Sequence, residues 1–208
     1  MSPFRFLFLS LVSIVLGFTT IVANDLASGV TIGDKAPDFR LMNVDSQMVS
    51  LSSFKGAKGI ILVFTCNACP FAKAYEDRII ALHKKFYPEG WPVLAINPND
   101  PVIEPEDSFE NMQIRAKEKE YPFAYAFDST QNTAKAYGAR RTPHVYLLTN
   151  TKTGFVVDYI GAIDDSPRDA EAVKARFVED AINALNNGKA PSVTTTKAIG
   201  CAIKWRES

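Results

Sequence analysis

Along the chain the period of hydrophobic and polar positions changes several times, and each change marks an element. Ile60-Ile61-Leu62-Val63-Phe64 is an unbroken β-branched and aromatic run, which predicts a central strand buried on both faces. After Pro70, the residues Phe71, Tyr75, Ile79, Leu82 and Phe86 recur at helical spacing and predict an amphipathic helix. Trp91 to Ile96 predicts the next strand, closed by the turn-forming run Asn97-Pro98-Asn99-Asp100-Pro101. A second helix fits residues 107–120 with Ser108 as a cap, a strand fits 123–127, and a short helix over 130–137 is stopped by Gly138. Val145 to Leu148 and Phe155 to Ile160 predict an antiparallel hairpin around Gly154. A last helix is expected from about Arg168 to Asn186, with Val173, Phe177, Val178, Ile182 and Leu185 facing inward and Gly188 ending it. Upstream, short alternations over 39–44 and 49–51 predict a hairpin. Strands alternating with helices, followed by a closing hairpin and helix, give an α/β class: a mixed sheet with helices on both faces.

The N-terminus follows a different pattern. Arg5 precedes the apolar run Phe6 to Phe18, and no charge appears until Asp25, as in a secretory leader. Residues 1–23 are therefore expected to be a signal peptide, or an uncleaved N-terminal anchor, since the uncharged stretch is just long enough to span a bilayer. Either way the rest of the chain is placed outside the cytosol, periplasmic or secreted. Membrane association is expected only if the segment is retained. One domain over 24–188 and a tail over 189–208 complete the division. The balance of 23 basic against 23 acidic residues leaves no long-range field to attract phosphate backbones, so nucleic acid is not an expected partner.

The candidate chemistry lies in three cysteines. Cys66-Asn67-Ala68-Cys69-Pro70 falls where the buried strand gives way to a helix. A thiol at a helix start faces unpaired backbone N–H groups and the positive end of the helix dipole, both of which favour thiolate. The two-residue spacing lets one sulfur resolve a mixed disulfide formed at the other, and the order suggested by the chain is Cys66 attacking and Cys69 resolving. A static bridge is the bland alternative, but so short a loop removes little unfolded-state entropy. A metal site is another: Cys66, Cys69, Cys201 and either His83 or His144 would supply soft ligands, although no second paired motif is present.

The segments Gly33-Asp34-Lys35-Ala36-Pro37-Asp38-Phe39, Leu51-Ser52-Ser53-Phe54-Lys55-Gly56 and Phe64-Thr65-Cys66-Asn67-Ala68-Cys69-Pro70 resemble the opening and active-site region of redoxin domains. The similarity to this peroxiredoxin-like, thiol-specific antioxidant group of the thioredoxin-like superfamily spans roughly Val30 to Gly188. It implies a thioredoxin-like fold. Ala136-Tyr137-Gly138-Ala139-Arg140-Arg141-Thr142-Pro143 is similar to the segment leading to the cis-proline of such folds. By resemblance, then, a cis Thr142–Pro143 bond is expected beside the cysteines, with the Thr142 backbone free to pair with an extended substrate.

Two features depart from the family pattern. Peroxiredoxins carry a proline and a threonine seven and three residues before the reactive cysteine. Counting back from Cys69 finds Leu62 and Cys66, and from Cys66 finds Gly59 and Val63. Thioredoxins keep a buried carboxylate on the preceding strand, where this chain has Ile60, so the proton acceptor is unnamed. The expected activity is thiol-disulfide exchange with protein thiols or disulfides, or with a thioredoxin-type donor, without a cofactor; hydroperoxide reduction is the enzymatic alternative. In the tail, Gly200-Cys201-Ala202-Ile203-Lys204-Trp205 is too apolar for a linker. One expectation is that the tail folds back and makes Cys201 a third redox cysteine; the other is a lone thiol in a tail anchored by Trp205.

Overall fold

The computed structural model describes Met1 and residues 29–207. Met1 aside, the expected leader or anchor lies outside the described residues. In chain order the elements are β1 (Leu41–Asn43), β2 (Met48–Val49), β3 (Gly59–Phe64), α1 (Pro70–Phe86), β4 (Val93–Asn97), α2 (Phe109–Glu118) and β5 (Ala124–Phe127). They continue with α3 (Asn132–Tyr137), β6 (Arg141–Thr142), β7 (His144–Thr151), β8 (Gly154–Gly161), α4 (Phe177–Asn186) and β9 (Cys201–Ala202).

Among the described residues one sheet runs β2-β1-β5-β4-β3-β7-β8, and β6 pairs separately with β9. The strands β3, β4 and β5 are parallel, while β1 and β7 run antiparallel to their neighbours. The central strand divides its side chains between two cores, as its unbroken apolar run predicts. Ile60, Leu62 and Phe64 pack with α3 and the β1–β2 hairpin, whereas Ile61 and Val63 pack with α1 and α4. The helix α2 covers the same side as α1, through Met112 against Ala95 and Tyr125. No helix of the described residues is long and apolar enough to cross a membrane.

The predicted boundaries hold closely for α1, α2 and α3. Pro70 opens α1, Ser108 accepts the Asn111 N–H as cap of α2, and Gly138 ends α3 at φ 71°. The last helix is a correction, because it begins at Phe177 rather than near Arg168. The nine residues before it are held as a loop. The Asp165 carboxylate accepts the N–H groups of Lys174 and Ala175, and Arg78 donates to the carbonyls of Ser166 and Pro167. Val173 consequently takes no part in the helical face.

A second correction concerns the run 97–101, which is more than a turn. Asn97, Asn99, Asp100 and Asp107 are all buried. The tail, too, is part of the packed fold. Thr195 bridges to Ile160, β9 pairs with β6, and Ile203 is buried in the core beside Trp205. Burying an isoleucine side chain fully contributes about 1.5–3 kcal/mol, enough to hold a short strand down.

Candidate active site

Two turns of chain at the C-terminal ends of the parallel strands build the site, the position where open α/β sheets place their ligands. Phe64 ends β3, and the loop Thr65–Cys69 carries the cysteine pair to the start of α1. Cys69, not Cys66, is the cap residue of that helix, with extended backbone at φ −69°, ψ 125° and Pro70 at the first helical position. Cys66 lies three positions earlier, in the loop that leaves β3. Both side chains are 4% exposed, and the cysteines are unbridged.

Thr142 touches both sulfurs. Its hydroxyl lies 3.0 Å from Cys66 Sγ, and its carbonyl accepts from the Cys69 thiol at 3.3 Å. The Thr142–Pro143 bond is cis, as the resemblance implies. The expectation that the Thr142 backbone is free is corrected, however: Thr142 is fully buried and pairs with Cys201 of the tail.

The electrostatics separate the two thiols. Cys69 is held below the ordinary thiol value, first by its hydrogen bond with the Cys66 thiol, then by the Cys201 thiol and the backbone N–H groups of Ala72 and Cys201, against the opposing effect of burial. Cys66 is pushed up by the same hydrogen bond with Cys69, by burial and by the charge of Asp107. The two shifts favour ionisation at Cys69 over Cys66. On ionisation Cys69 gives up its bond to the Thr142 carbonyl and takes N–H donors instead.

Asp107 is the functional residue the sequence does not single out. It is fully buried beside the pair, and it accepts from the Asn67 N–H at 2.6 Å, from Asn97 Nδ2 at 3.2 Å and from Asn99 Nδ2 at 2.7 Å. Asn67 in turn accepts from the Tyr125 hydroxyl at 3.0 Å. The cysteine loop is thus pinned from below by a buried carboxylate that arrives from the β4–α2 loop rather than from β3, where Ile60 stands.

The remaining candidates divide clearly. Cys201 packs against Cys66 and Cys69. His83 lies near the far end of α1, about 20 Å along the helix from its start. There its Nδ1 accepts from the Val93 N–H and its ring stacks on Tyr87. His144 opens β7 with its Nδ1 3.4 Å from the Tyr146 hydroxyl. Among the described residues no group of three or more histidine, cysteine or acidic side chains is arranged to hold a metal ion. The four-ligand set considered from the sequence is not assembled.

Comparison with known proteins agrees with this geometry. The AhpC/TSA family profile matches residues 32–166. The chain belongs to the AhpC/TSA family. It is an oxidoreductase of thioredoxin-like fold. An uncharacterized conserved protein from Geobacillus kaustophilus is 38% identical over 86% of this chain and 94% of its own, with a TM-score of 0.79. A hypothetical protein from Sinorhizobium meliloti 1021 is 31% identical over 86% of this chain and 97% of its own, with a TM-score of 0.80. The thiol-disulfide oxidoreductase ResA of Geobacillus thermodenitrificans is 26% identical over 82% of this chain and 94% of that protein.

Proposed function

We propose that this family member is an exported thiol-disulfide oxidoreductase that exchanges disulfides with protein substrates through Cys66 and Cys69. The observation that carries the reading is the placement of two unbridged thiols at one helix start, with Cys69 as its cap and Thr142 in contact with both sulfurs. Export rests on the leader-like pattern of residues 1–23. In this reading the order suggested by the chain is reversed. The Cys69 thiolate attacks a substrate disulfide, forming a bond to one sulfur and expelling the other as thiolate. Cys66 then attacks Cys69 Sγ, releasing the second substrate thiol and closing the Cys66–Cys69 disulfide. Asp107 holds the loop and keeps Cys66 protonated until its turn.

Serine variants of the pair test the assignment, because a serine hydroxyl can still donate to the remaining sulfur and Cys201 stays in place. With glutathione disulfide at neutral pH, Cys66→Ser is expected to react at Cys69 at least about tenfold faster than Cys69→Ser reacts at Cys66, in line with the thiolate fractions. Equal rates, or a faster Cys66, overturn the assignment. A wild-type chain that yields no Cys66–Cys69 disulfide in a glutathione redox titration overturns the function itself. Hydroperoxide reduction has one feature in its favour: a helix-cap thiolate followed directly by Pro70 in an AhpC/TSA chain. Against it, the third residue before Cys69 is Cys66 rather than threonine. Stopped-flow mixing of the reduced protein with hydrogen peroxide separates the two, slow oxidation favouring exchange.

A further inference from the structure

The edge that an extended substrate would use is already taken by the chain's own tail. β9 lies antiparallel to β6, with Cys201 opposite Thr142 and Ala202 opposite Arg141. The Ile203 N–H continues the ladder onto the Arg140 carbonyl at 3.1 Å, and Arg141 Nη1 donates to the Gly200 carbonyl at 2.9 Å. A Cβ on Gly200 would run into the Thr142 carbonyl, so glycine is what lets the strand approach this closely. Beyond the strand, Lys204 N–H donates to Asn99 Oδ1 at 2.9 Å and Arg206 Nε to Asp100 Oδ2 at 2.8 Å. The loop that pins the cysteines therefore also clamps the tail.

Cys201 differs from the pair in exposure. Cys66 and Cys69 are buried, whereas Cys201 is half-buried and packs directly on them. We propose that β9 is a built-in substrate strand, and that Cys201 carries the disulfide of the buried pair outward by exchanging with Cys69. This rests on the reading of Cys66 and Cys69 as a redox pair.

The step is redox-neutral within the chain. From the Cys66–Cys69 disulfide, Cys201 gives up its proton and its sulfur attacks Cys69 Sγ. The Cys69–Cys201 bond forms as the Cys66–Cys69 bond breaks. The electron pair leaves on Cys66, which takes up a proton. An external thiol then reaches the half-buried Cys201 sulfur, and the reverse sequence admits an external disulfide.

The surroundings of Cys201 favour this order. Burial, the hydrogen bond to Cys69 and the Cys69 charge push its pKa up to about 11, while Lys204 and Arg141 pull it down. Once Cys69 is in a disulfide its charge is gone, the two cations remain, and Cys201 becomes the more acidic for it.

The test maps disulfides by mass spectrometry, without reductant, after acid quenching. The wild-type chain in glutathione buffers of graded redox ratio should show both Cys66–Cys69 and Cys69–Cys201 linkages. Cys66→Ser treated with glutathione disulfide should close Cys69–Cys201 and release glutathione. Adding Gly200→Ala should slow that closure at least about tenfold, because the tail thiol loses its effective concentration at the site. A wild type with only the Cys66–Cys69 linkage across the whole range overturns the proposal and leaves exchange by the pair intact. So does Cys66→Ser halting at a Cys69–glutathione adduct with Cys201 free. A wild type that forms no linkage overturns both readings.

Discussion

At the scale of single residues, the cysteine pair announces itself through its two-residue spacing and its place after a buried strand, but the roles within the pair do not. They depend on which sulfur caps α1, and the helix begins at Pro70, one position after Cys69. Asp107 is harder to see. Its partners Asn67, Asn97 and Asn99 lie eight to forty positions away, and no periodicity links them. The only trace is an excess of asparagine and aspartate directly after a strand whose end faces the site, and such a run is ordinarily a solvated turn. A measurable consequence follows from the Asp107 charge, which contributes to the elevation of Cys66. In a chain lacking the other two cysteines, Asp107→Asn should move the midpoint of iodoacetamide alkylation at Cys66 to lower pH. The rate at about pH 8 should rise several-fold, because each unit of midpoint is about a factor of ten in thiolate on the rising limb. An unchanged midpoint would remove Asp107 from the electrostatics of the pair.

Elements with a strong period were legible, and elements held by side-chain bonds at long range were not. The apolar stripe of α1 and the unbroken run of β3 leave one way to bury their faces. The segment 168–176, by contrast, has a helical composition but is captured as a loop by Arg78 and Asp165. The strand β9 is only two residues long, too short to register in any pattern, and exists because β6 offers it a partner. Between α1 and α2 the decisive contact is polar. The buried Glu76 receives Arg115 through both carboxylate oxygens at 2.6 Å each and accepts from the Tyr121 hydroxyl at 3.0 Å. Glu76→Gln keeps the shape and removes the charge, leaving Arg115 and Lys119 facing a neutral amide. With Arg115 partly solvated, the expected loss in unfolding free energy is about 2 kcal/mol, below the range for a fully buried pair. Urea denaturation with unchanged slope reads it directly, and a loss under about 0.5 kcal/mol would mean that apolar packing alone holds the two helices.

For the whole molecule, the two-faced sheet, its parallel centre and its antiparallel flanks follow from the order of elements. Closure of the fold by its own C-terminus does not, since it depends on Ile203 finding the core and Lys204 finding Asn99. The same close packing sets the response to acid. His83 and His144 both sit with depressed pKa values because burial disfavours the imidazolium, His144 at about 4. His83 Nδ1 is also an acceptor for the Val93 N–H, a bond that protonation there would abolish. Because each folded-state value lies below the unfolded value of about 6.5, the unfolded chain binds these protons first as pH falls. Their contribution is therefore fully present above about pH 7 and is lost progressively between about pH 6.5 and pH 4. For His144 the shift sets a ceiling of about 3 kcal/mol, and partial exposure of its ring reduces this to about 2 kcal/mol. Urea midpoints should thus fall between pH 7 and pH 4.5 in the wild type and fall less in His144→Gln, whose side chain does not titrate. The lowered carboxylates Asp34, Asp100 and Asp165 stay ionised over that interval and cannot mimic the difference. Identical slopes of stability against pH in the two proteins would show that the His144 ring is free to take up its proton in the folded state.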